Sequence, residues 1–169
     1  AYIWWNFPVS DYVRDHLLMG PAYGLDTEAN DLMSGFMTNP MEFAEASKVA
    51  IYSVANYAWN INNYDWMATW ENALKNVMPN NYEAFRTFSI HNADLGPNGH
   101  GYRRDESWEF KKTAHTYLQN TKIGESDLNI SQKVQQEFMK IIMAARALQN
   151  SKDNDALIEE ITPWLKQFN

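Results

Sequence analysis

Residues 1–12 read AYIWWNFPVSDY, and this stretch decides which kind of fold the chain can form. It opens with an unbroken apolar run, which is typical of a β-strand whose two faces are both covered, as in a parallel sheet. Pro8 ends the run because proline cannot donate a hydrogen bond to a neighbouring strand. Asn6 and Asp11 place polar side chains near that end. We therefore predict a strand over residues 2–7 with polar groups at its carboxyl end.

The pattern then changes from that of a strand to that of a helix. A second strand is predicted over residues 33–38. From Pro40 onward the apolar residues recur at helical spacing, and proline suits the first turn of a helix. The predicted inward face of this helix contains Phe43, Ala46, Ala50, Val54, Tyr57 and Ala58. Residues 1–58 thus give strand, loop, strand and helix, which is part of a β/α repeat.

The remainder of the chain is predicted to be helical apart from one long loop. Helices are predicted over residues 64–77, 81–92, 105–120, 130–149 and 154–168, and the loop over residues 91–107. The clearest apolar stripe contains Val134, Phe138, Ile141, Ile142, Ala145 and Leu148. Two strands alone would leave the edges of a parallel sheet open. We therefore expect residues 1–60 to be the end of a larger α/β domain.

The composition excludes several classes of function. The 169 residues carry 14 Lys and Arg against 21 Asp and Glu, so the formal net charge is −7. An acidic chain without a basic run argues against a nucleic-acid or anionic-membrane partner. The chain contains no cysteine, and no segment approaches the ~20 apolar residues of a transmembrane helix. The histidines lack metal-ligand spacing and no glycine-rich phosphate loop precedes a helix, so we expect neither a metal nor a cofactor.

The best candidates for a binding site lie at the predicted strand ends. In β/α barrels the functional side chains lie at the carboxyl ends of the strands, which selects Trp4, Asn6 and Asp11, and then Asn39. Carboxamides and carboxylates hydrogen-bond to vicinal hydroxyls and an indole ring forms an apolar wall, so this combination suits a sugar. The alternative is that these polar residues only cap or turn the chain. His100 is a further candidate because it lies in the glycine-rich loop.

Four blocks of the sequence resemble one enzyme family. They are YIWWNFPVSDY (2–12), MSGFMTNPMEFAEASKVAIYSVANYAWN (33–60), YDWMATW (64–70) and HNADLGPNGHGYRRDES (91–107). Together they closely resemble the glycoside hydrolase family 84 β-N-acetylglucosaminidases. The resemblance implies a mainly α fold with a small β component, in which the last two β/α units of a (β/α)8 barrel precede a C-terminal helical bundle. The implied divisions are the barrel end at 1–60, a helical extension with the pocket loop at 61–104, and the bundle at 105–169.

The resemblance also implies an activity. The family hydrolyses terminal β-linked N-acetylglucosamine with retention: the acetamido oxygen of the substrate attacks the anomeric carbon, and two consecutive aspartates assist. This chain contains no such pair. The family pattern therefore implies that the missing N-terminal barrel segment supplies the pair, in cis or in trans, and that this chain alone is inactive.

The family pattern assigns a role to each candidate residue. The implied roles are Asp11 holding the O4 and O6 hydroxyls, Asn39 bonding to the neighbouring ring hydroxyls, Asn6 orienting the sugar and the catalytic carboxylate, Trp4 forming the wall of the acetamido pocket, and His100 lying near the leaving group. The open edge of the strand at 2–7 further predicts self-association. The competing hypothesis is a non-catalytic helical module that binds protein or glycan, in which the candidates would not converge and a large apolar patch would be exposed.

Overall fold

The computed structural model describes residues 1–12, 16–93 and 105–168, and it is mainly helical. The two strands are β1 (Tyr2–Pro8) and β2 (Gly35–Asn39), and the six helices are α1 (Ala44–Trp59), α2 (Trp66–Val77), α3 (Tyr82–Ile90), α4 (Lys111–Lys122), α5 (Leu128–Gln149) and α6 (Asp155–Leu165). Short 3-10 turns lie at Ala29–Leu32, Ile61–Asn63 and Lys166–Phe168. The predicted fold class, mainly α with a small β component, is confirmed. None of the helices in the described ranges is both long and apolar enough to cross a membrane.

The two strands pair in parallel, and the described chain covers only one face of the pair. Phe7 of β1 is buried, and its ring lies 4.6 Å from that of Trp5, which in turn meets Phe36 of β2 edge-on at 5.9 Å. On the opposite face Tyr2 and Trp4 are 61% and 65% exposed, although the apolar run predicts cover on both sides. The paired strands therefore have one face packed on α1 and one face open within the described chain.

Helix α1 begins four residues later than the proline pattern predicts. Pro40 is not in its first turn, because residues 40–43 run non-helically up to the first helical residue, Ala44. The first amides are satisfied instead by a distant side chain: the carboxylate of Glu160 accepts hydrogen bonds from the backbone N–H groups of Glu45 and Ala46, each at 2.9 Å. The predicted inward face is largely buried, except that Ala58 is exposed.

The helical part differs from the sequence prediction in two places. The helix predicted from residue 105 begins at Lys111, and the preceding residues form turns in which Ser107 has a φ of 54°. Phe138, predicted to lie on the buried stripe of α5, is 59% exposed, because burial is confined to the C-terminal half of that helix. Helix α6 contains Pro163 and continues to Leu165.

One hydrophobic core joins the β/α part to the helical part. It includes side chains from β1, from residues 17–22, and from α1, α2, α3, α5 and α6. Trp70 is fully buried in it, and its indole N–H donates to the carbonyl of Met19 at 2.8 Å. Burial of Leu148 and Leu157 brings α5 and α6 into the same core. The sheet end is therefore held on a rigid support by helices from both halves of the chain.

Candidate functional site

Three of the candidate residues converge at the carboxyl end of the sheet. The indole N–H of Trp4 donates to Oδ1 of Asn6 at 3.0 Å. The amide nitrogen of Asn39 donates to the same oxygen at 3.3 Å. The side chains belong to two neighbouring strands, and Trp4 and Asn6 are exposed while Asn39 is half-buried. The structure therefore brings an aromatic wall and two carboxamides into one hydrogen-bonded cluster.

This convergence lies next to a change of register at the end of β1. Trp5 pairs with Thr38, but the next aligned pair is Pro8 with Asn39, so β1 is three residues further along where β2 has advanced by one. Such a bulge bends a strand and redirects its side chains. Two contacts hold the bulge against β2: the Thr38 hydroxyl donates to the carbonyl of Phe7, and the amide of Val9 donates to the carbonyl of Asn39 at 2.8 Å.

The other two candidates stand differently. Asp11 lies three residues beyond β1 in an exposed turn. Its carboxylate is the negatively charged group among the four candidates that the structure describes. His100 lies outside the described residues, so its predicted position near the leaving group stays a prediction. The roles that the resemblance gives to all five residues likewise stay predictions.

The orientation of the Asn6 carboxamide follows from the chemistry of its partner. An indole N–H can only donate, so the atom of Asn6 facing Trp4 must be the oxygen. The amide nitrogen of Asn39 is then the atom turned towards Asn6, and its own oxygen points elsewhere. This cluster is built from neutral hydrogen-bonding groups and an aromatic ring. It suits a neutral, hydroxyl-bearing ligand more than an anion or a cation.

A second polar cluster, which the sequence pattern does not single out, joins the two halves of the chain. His91 at the end of α3 is 8% exposed; its Nδ1 lies 2.7 Å from the hydroxyl of Ser107 and its Nε2 lies 3.0 Å from the carboxylate of Glu137 on α5. A carboxylate can only accept, so Nε2 carries the proton and Nδ1 accepts from Ser107. Burial lowers the pKa of His91, against the opposing effect of the hydrogen bond that Nε2 donates to Glu137. Burial therefore favours the neutral ring, which bridges α3, Ser107 and α5.

Three more ion pairs lie at the same junction. The guanidinium of Arg86 on α3 bonds to Glu71 on α2 at 2.8 Å and to Glu109 at 2.5 Å. These hydrogen bonds raise the pKa of Arg86 and lower that of Glu109. His16, which follows β1, lies 2.6 Å from the carboxylate of Glu106. Glu106 thereby ties the described residues before α4 to the β/α part.

The described residues contain no group of three or more His, Asp or Glu side chains placed to hold a metal ion. Arg86, His91 and their partners each have a neighbour of opposite charge or a matching donor, and together they fasten helices to one another. A polar residue paired with a distant segment leaves no periodicity in the sequence. The cluster of Trp4, Asn6 and Asn39 is thus the best candidate site in the part of the chain that the structure describes.

Comparison with known proteins identifies the family of this chain. The family model described as beta-N-acetylglucosaminidase matches residues 1–90, and the model described as the bacterial GH84 post-catalytic domain matches residues 106–169. Among solved structures, the chain is similar to CpGH84B, with a TM-score of 0.89 and 30% identity over 99% of this chain. It is also similar to CpGH84D, with a TM-score of 0.88 and 33% identity over 99% of this chain.

A third structure, a mutant of the O-GlcNAc hydrolase of Thermobaculum terrenum, shares the fold with a TM-score of 0.76, at 24% identity over 99% of this chain and 35% of its own. The chain spans 29% of the length of CpGH84B and 28% of that of CpGH84D. Because the first family model covers more than half of the 169 residues, the resemblance expected from the sequence is confirmed. The chain belongs to glycoside hydrolase family 84, the β-N-acetylglucosaminidase family.

Proposed function

We propose that this chain supplies the sugar-binding part of a retaining exo-β-N-acetylglucosaminidase that releases terminal β-linked N-acetylglucosamine. The observation that carries the proposal is the convergence of Trp4, Asn6 and Asn39 where two parallel strands end. A monosaccharide needs hydrogen-bonding groups beside an apolar surface within a few ångströms, and this cluster provides both. Membership of a glycosidase family supports the same reading.

The chemistry assigned to this chain is positioning of the sugar. The reaction proceeds by attack of the substrate's own acetamido oxygen on the anomeric carbon, so the acetamido group must be held beneath that carbon. Trp4 would form one wall of the acetamido pocket and Asn6 would orient the ring. Asn39 and Asp11 would hold the ring hydroxyls, which fixes the sugar against sliding along the wall. The acid and base steps belong to a pair of aspartates on a barrel segment outside this chain, supplied in cis or in trans.

The first test is a binding titration of the 169-residue chain with N-acetylglucosamine, followed by tryptophan fluorescence and by nuclear magnetic resonance of the indole N–H groups. The expected result is a saturable shift of the Trp4 signal with no shift of Trp59, which is 92% exposed and lies at the end of α1. Glucose, which lacks the acetamido group, is the matched control ligand. Equal responses to both sugars, or none, would contradict the proposal.

The second test concerns turnover. The chain alone should not hydrolyse a chromogenic N-acetyl-β-glucosaminide, and a polypeptide that joins it to a family barrel segment carrying the aspartate pair should do so. In that longer polypeptide, Asp11→Ala should raise KM by a larger factor than it lowers kcat, because Asp11 is assigned to ring hydroxyls remote from the reacting carbon. Turnover by the purified 169-residue chain would show that the catalytic groups are here after all.

A second candidate function is protein or glycan binding by the helical part. The observation that favours it is a set of exposed apolar side chains on and between α4 and α5, comprising Leu118, Ile123, Leu128, Phe138, Met139 and Met143. A group of exposed apolar side chains is typical of an interaction surface. Sedimentation of the wild-type chain beside the Phe138→Ser and Met143→Ser double variant tests this candidate. An unchanged mass in both, together with binding of N-acetylglucosamine, favours the enzyme proposal.

A further inference from the structure

Met37 of β2 has no role in the family pattern described above, yet the register of the two strands places it beside the candidate site. It pairs with Trp4 of β1, and residues paired in a parallel ladder leave the same face of the sheet. Asn6 and Asn39 leave this face two residues further along their strands, where their side chains meet. Met37 is 40% exposed and Trp4 is 65% exposed. An exposed apolar pair therefore lies next to the two carboxamides.

The next pair towards the amino ends of the strands closes this face. Tyr2 pairs with Gly35, and a Cβ atom at Gly35 would lie only 2.5 Å from the ring of Tyr2. The tyrosine ring therefore covers the glycine and takes the place of a side chain there. Since Met37 lies between Gly35 and Asn39 on β2, its side chain has an aromatic ring on one side and hydrogen-bonding groups on the other. This position suits contact with a small apolar group of a ligand that is otherwise polar.

We propose that Met37 is a specificity-determining residue of the candidate sugar site: its side chain, with the ring of Trp4, contacts the methyl group of the acetamido substituent and limits the length of the acyl chain. The inference rests on the proposed function and deepens it. The hydroxyls of the sugar match the carboxamides, so the acetamido methyl group is the part that matches an apolar surface. Methionine suits this contact because its thioether is polarisable and its unbranched chain adapts to a small apolar partner.

The first test observes the methyl group of Met37 by nuclear magnetic resonance, after isotope labelling of the methionine methyl groups. Its resonance is assigned by its loss in Met37→Leu. N-acetylglucosamine should shift this resonance together with the indole signal of Trp4, while that of Met143, which is 65% exposed on α5, should not move. Glucose, which lacks the acetamido group, should leave the Met37 resonance in place. A shift of Trp4 without one of Met37 would overturn the inference and leave the proposed function standing, and no shift of either would overturn both.

The second test compares the affinities for N-acetylglucosamine and N-propionylglucosamine. One extra methylene group in a filled apolar pocket is worth about tenfold or more in discrimination, so we expect the wild type to prefer the acetyl sugar by about tenfold. Met37→Ala should reduce this preference to about twofold or less, because it removes the group that limits the acyl chain. Met37→Leu, which conserves the volume, should keep the preference within about twofold of the wild type. Met143→Ala is the matched control and should leave it unchanged.

An undiminished preference for the acetyl sugar in a folded Met37→Ala chain would overturn the inference, since another group would then limit the acyl chain. Circular dichroism establishes that each variant is folded before its affinity is compared. The methyl resonance is followed in the wild-type chain, so the contact is decided even if the alanine variant fails to fold.

Discussion

The polar side chains at the sheet end and those at the helix junction are arranged in opposite ways. At the sheet end, Trp4 is 65% exposed and Asn6 is also exposed, and their hydrogen bonds link groups that all lie at the surface. At the junction, Arg86 and His91 are largely buried and are bonded to carboxylates from other helices. The polar groups at the sheet end are accessible to a ligand, whereas those at the junction bond to other side chains of the protein.

This difference separates residues that serve a ligand from residues that serve the fold. A buried charge or amide without a partner costs free energy, so junction residues must be matched in advance by the folded chain. Exposed carboxamides are hydrated in the absence of ligand and add little to stability. Substitutions at the junction should therefore lower the free energy of unfolding. Substitutions at the sheet end should instead weaken ligand binding.

The largest expected effect on stability is at Arg86. Arg86→Met keeps much of the side-chain volume but leaves the Glu71 carboxylate, 20% exposed, without its guanidinium. We expect a loss of about 2 to 3 kcal/mol in the free energy of unfolding, measured by urea denaturation. Lys112→Met, at an exposed position on α4, is the matched control and should change it by less than about 0.5 kcal/mol. A similar small change at Arg86 would show that its ion pairs are incidental.

The next largest effect is expected at Glu160, which caps α1 from a different helix. Glu160→Ala removes the acceptor of two backbone N–H groups, and we expect a loss of about 1 to 2 kcal/mol in the free energy of unfolding. Glu160→Gln retains one acceptor oxygen and should fall between wild type and alanine. The neighbouring Glu159→Ala, at an exposed position, is the control. If both glutamates behave alike, capping by Glu160 is not a stabilising contact.

A smaller, pH-dependent effect is expected at His91. Because burial lowers its pKa in the folded chain, the unfolded chain takes up the proton more readily, and stability is lost as pH falls below about 6.5. The groups facing the ring are Ser107, Glu137, Glu106 and Lys140. Glu45 and Glu109 have lowered pKa values in the folded chain, so their contributions are lost only below about pH 4.5, outside this window.

The measurement is the free energy of unfolding at about pH 7.5 and about pH 5.5 for the wild type and for His91→Gln. The wild type should lose more stability over this interval than the variant, whose side chain does not titrate. His115→Gln, at an exposed position on α4, should retain the wild-type pH dependence. If the free energy of unfolding of His91→Gln depends on pH as it does in the wild type, the titrating group is not His91.

The smallest effect on stability, and the sharpest contrast, is expected at Asn39. Asn39→Ala removes a hydrogen bond between two surface carboxamides, so the free energy of unfolding should change by less than about 0.5 kcal/mol. Under the proposed function, affinity for N-acetylglucosamine should fall by about tenfold, since a buried ligand hydroxyl would lose its partner. Calorimetry and urea denaturation on the same preparation separate the two quantities. A large stability loss without a binding loss would move Asn39 into the structural group.

Local patterns in the sequence were enough to predict the two strands, the helical remainder and the strand end at which Trp4, Asn6 and Asn39 meet. The apolar run before Pro8 predicted β1, and the strand-end rule selected Asn6 and Asn39, which the structure brings together. What the sequence could not predict depends on contacts between distant segments. The first amides of α1 bond to Glu160, and the buried His91 bonds to Glu137. Neither pairing leaves a spacing that a reader of one chain could detect.

The reach of Glu160 to the start of α1 also bears on how the chain can be divided. The cap comes from a residue 115 positions further along, and the ring of Trp164 on the same helix meets that of Phe43 edge-on at 5.0 Å. The two family-matched regions, 1–90 and 106–169, are therefore separate in sequence but share one folding unit. On the ribosome, α1 leaves the tunnel before its cap has been synthesised, so its first turn is completed only when α6 has emerged. Division of the gene between the two regions would place the two halves of the hydrophobic core on separate polypeptides. Co-expression of both pieces would then be needed to form the complete core.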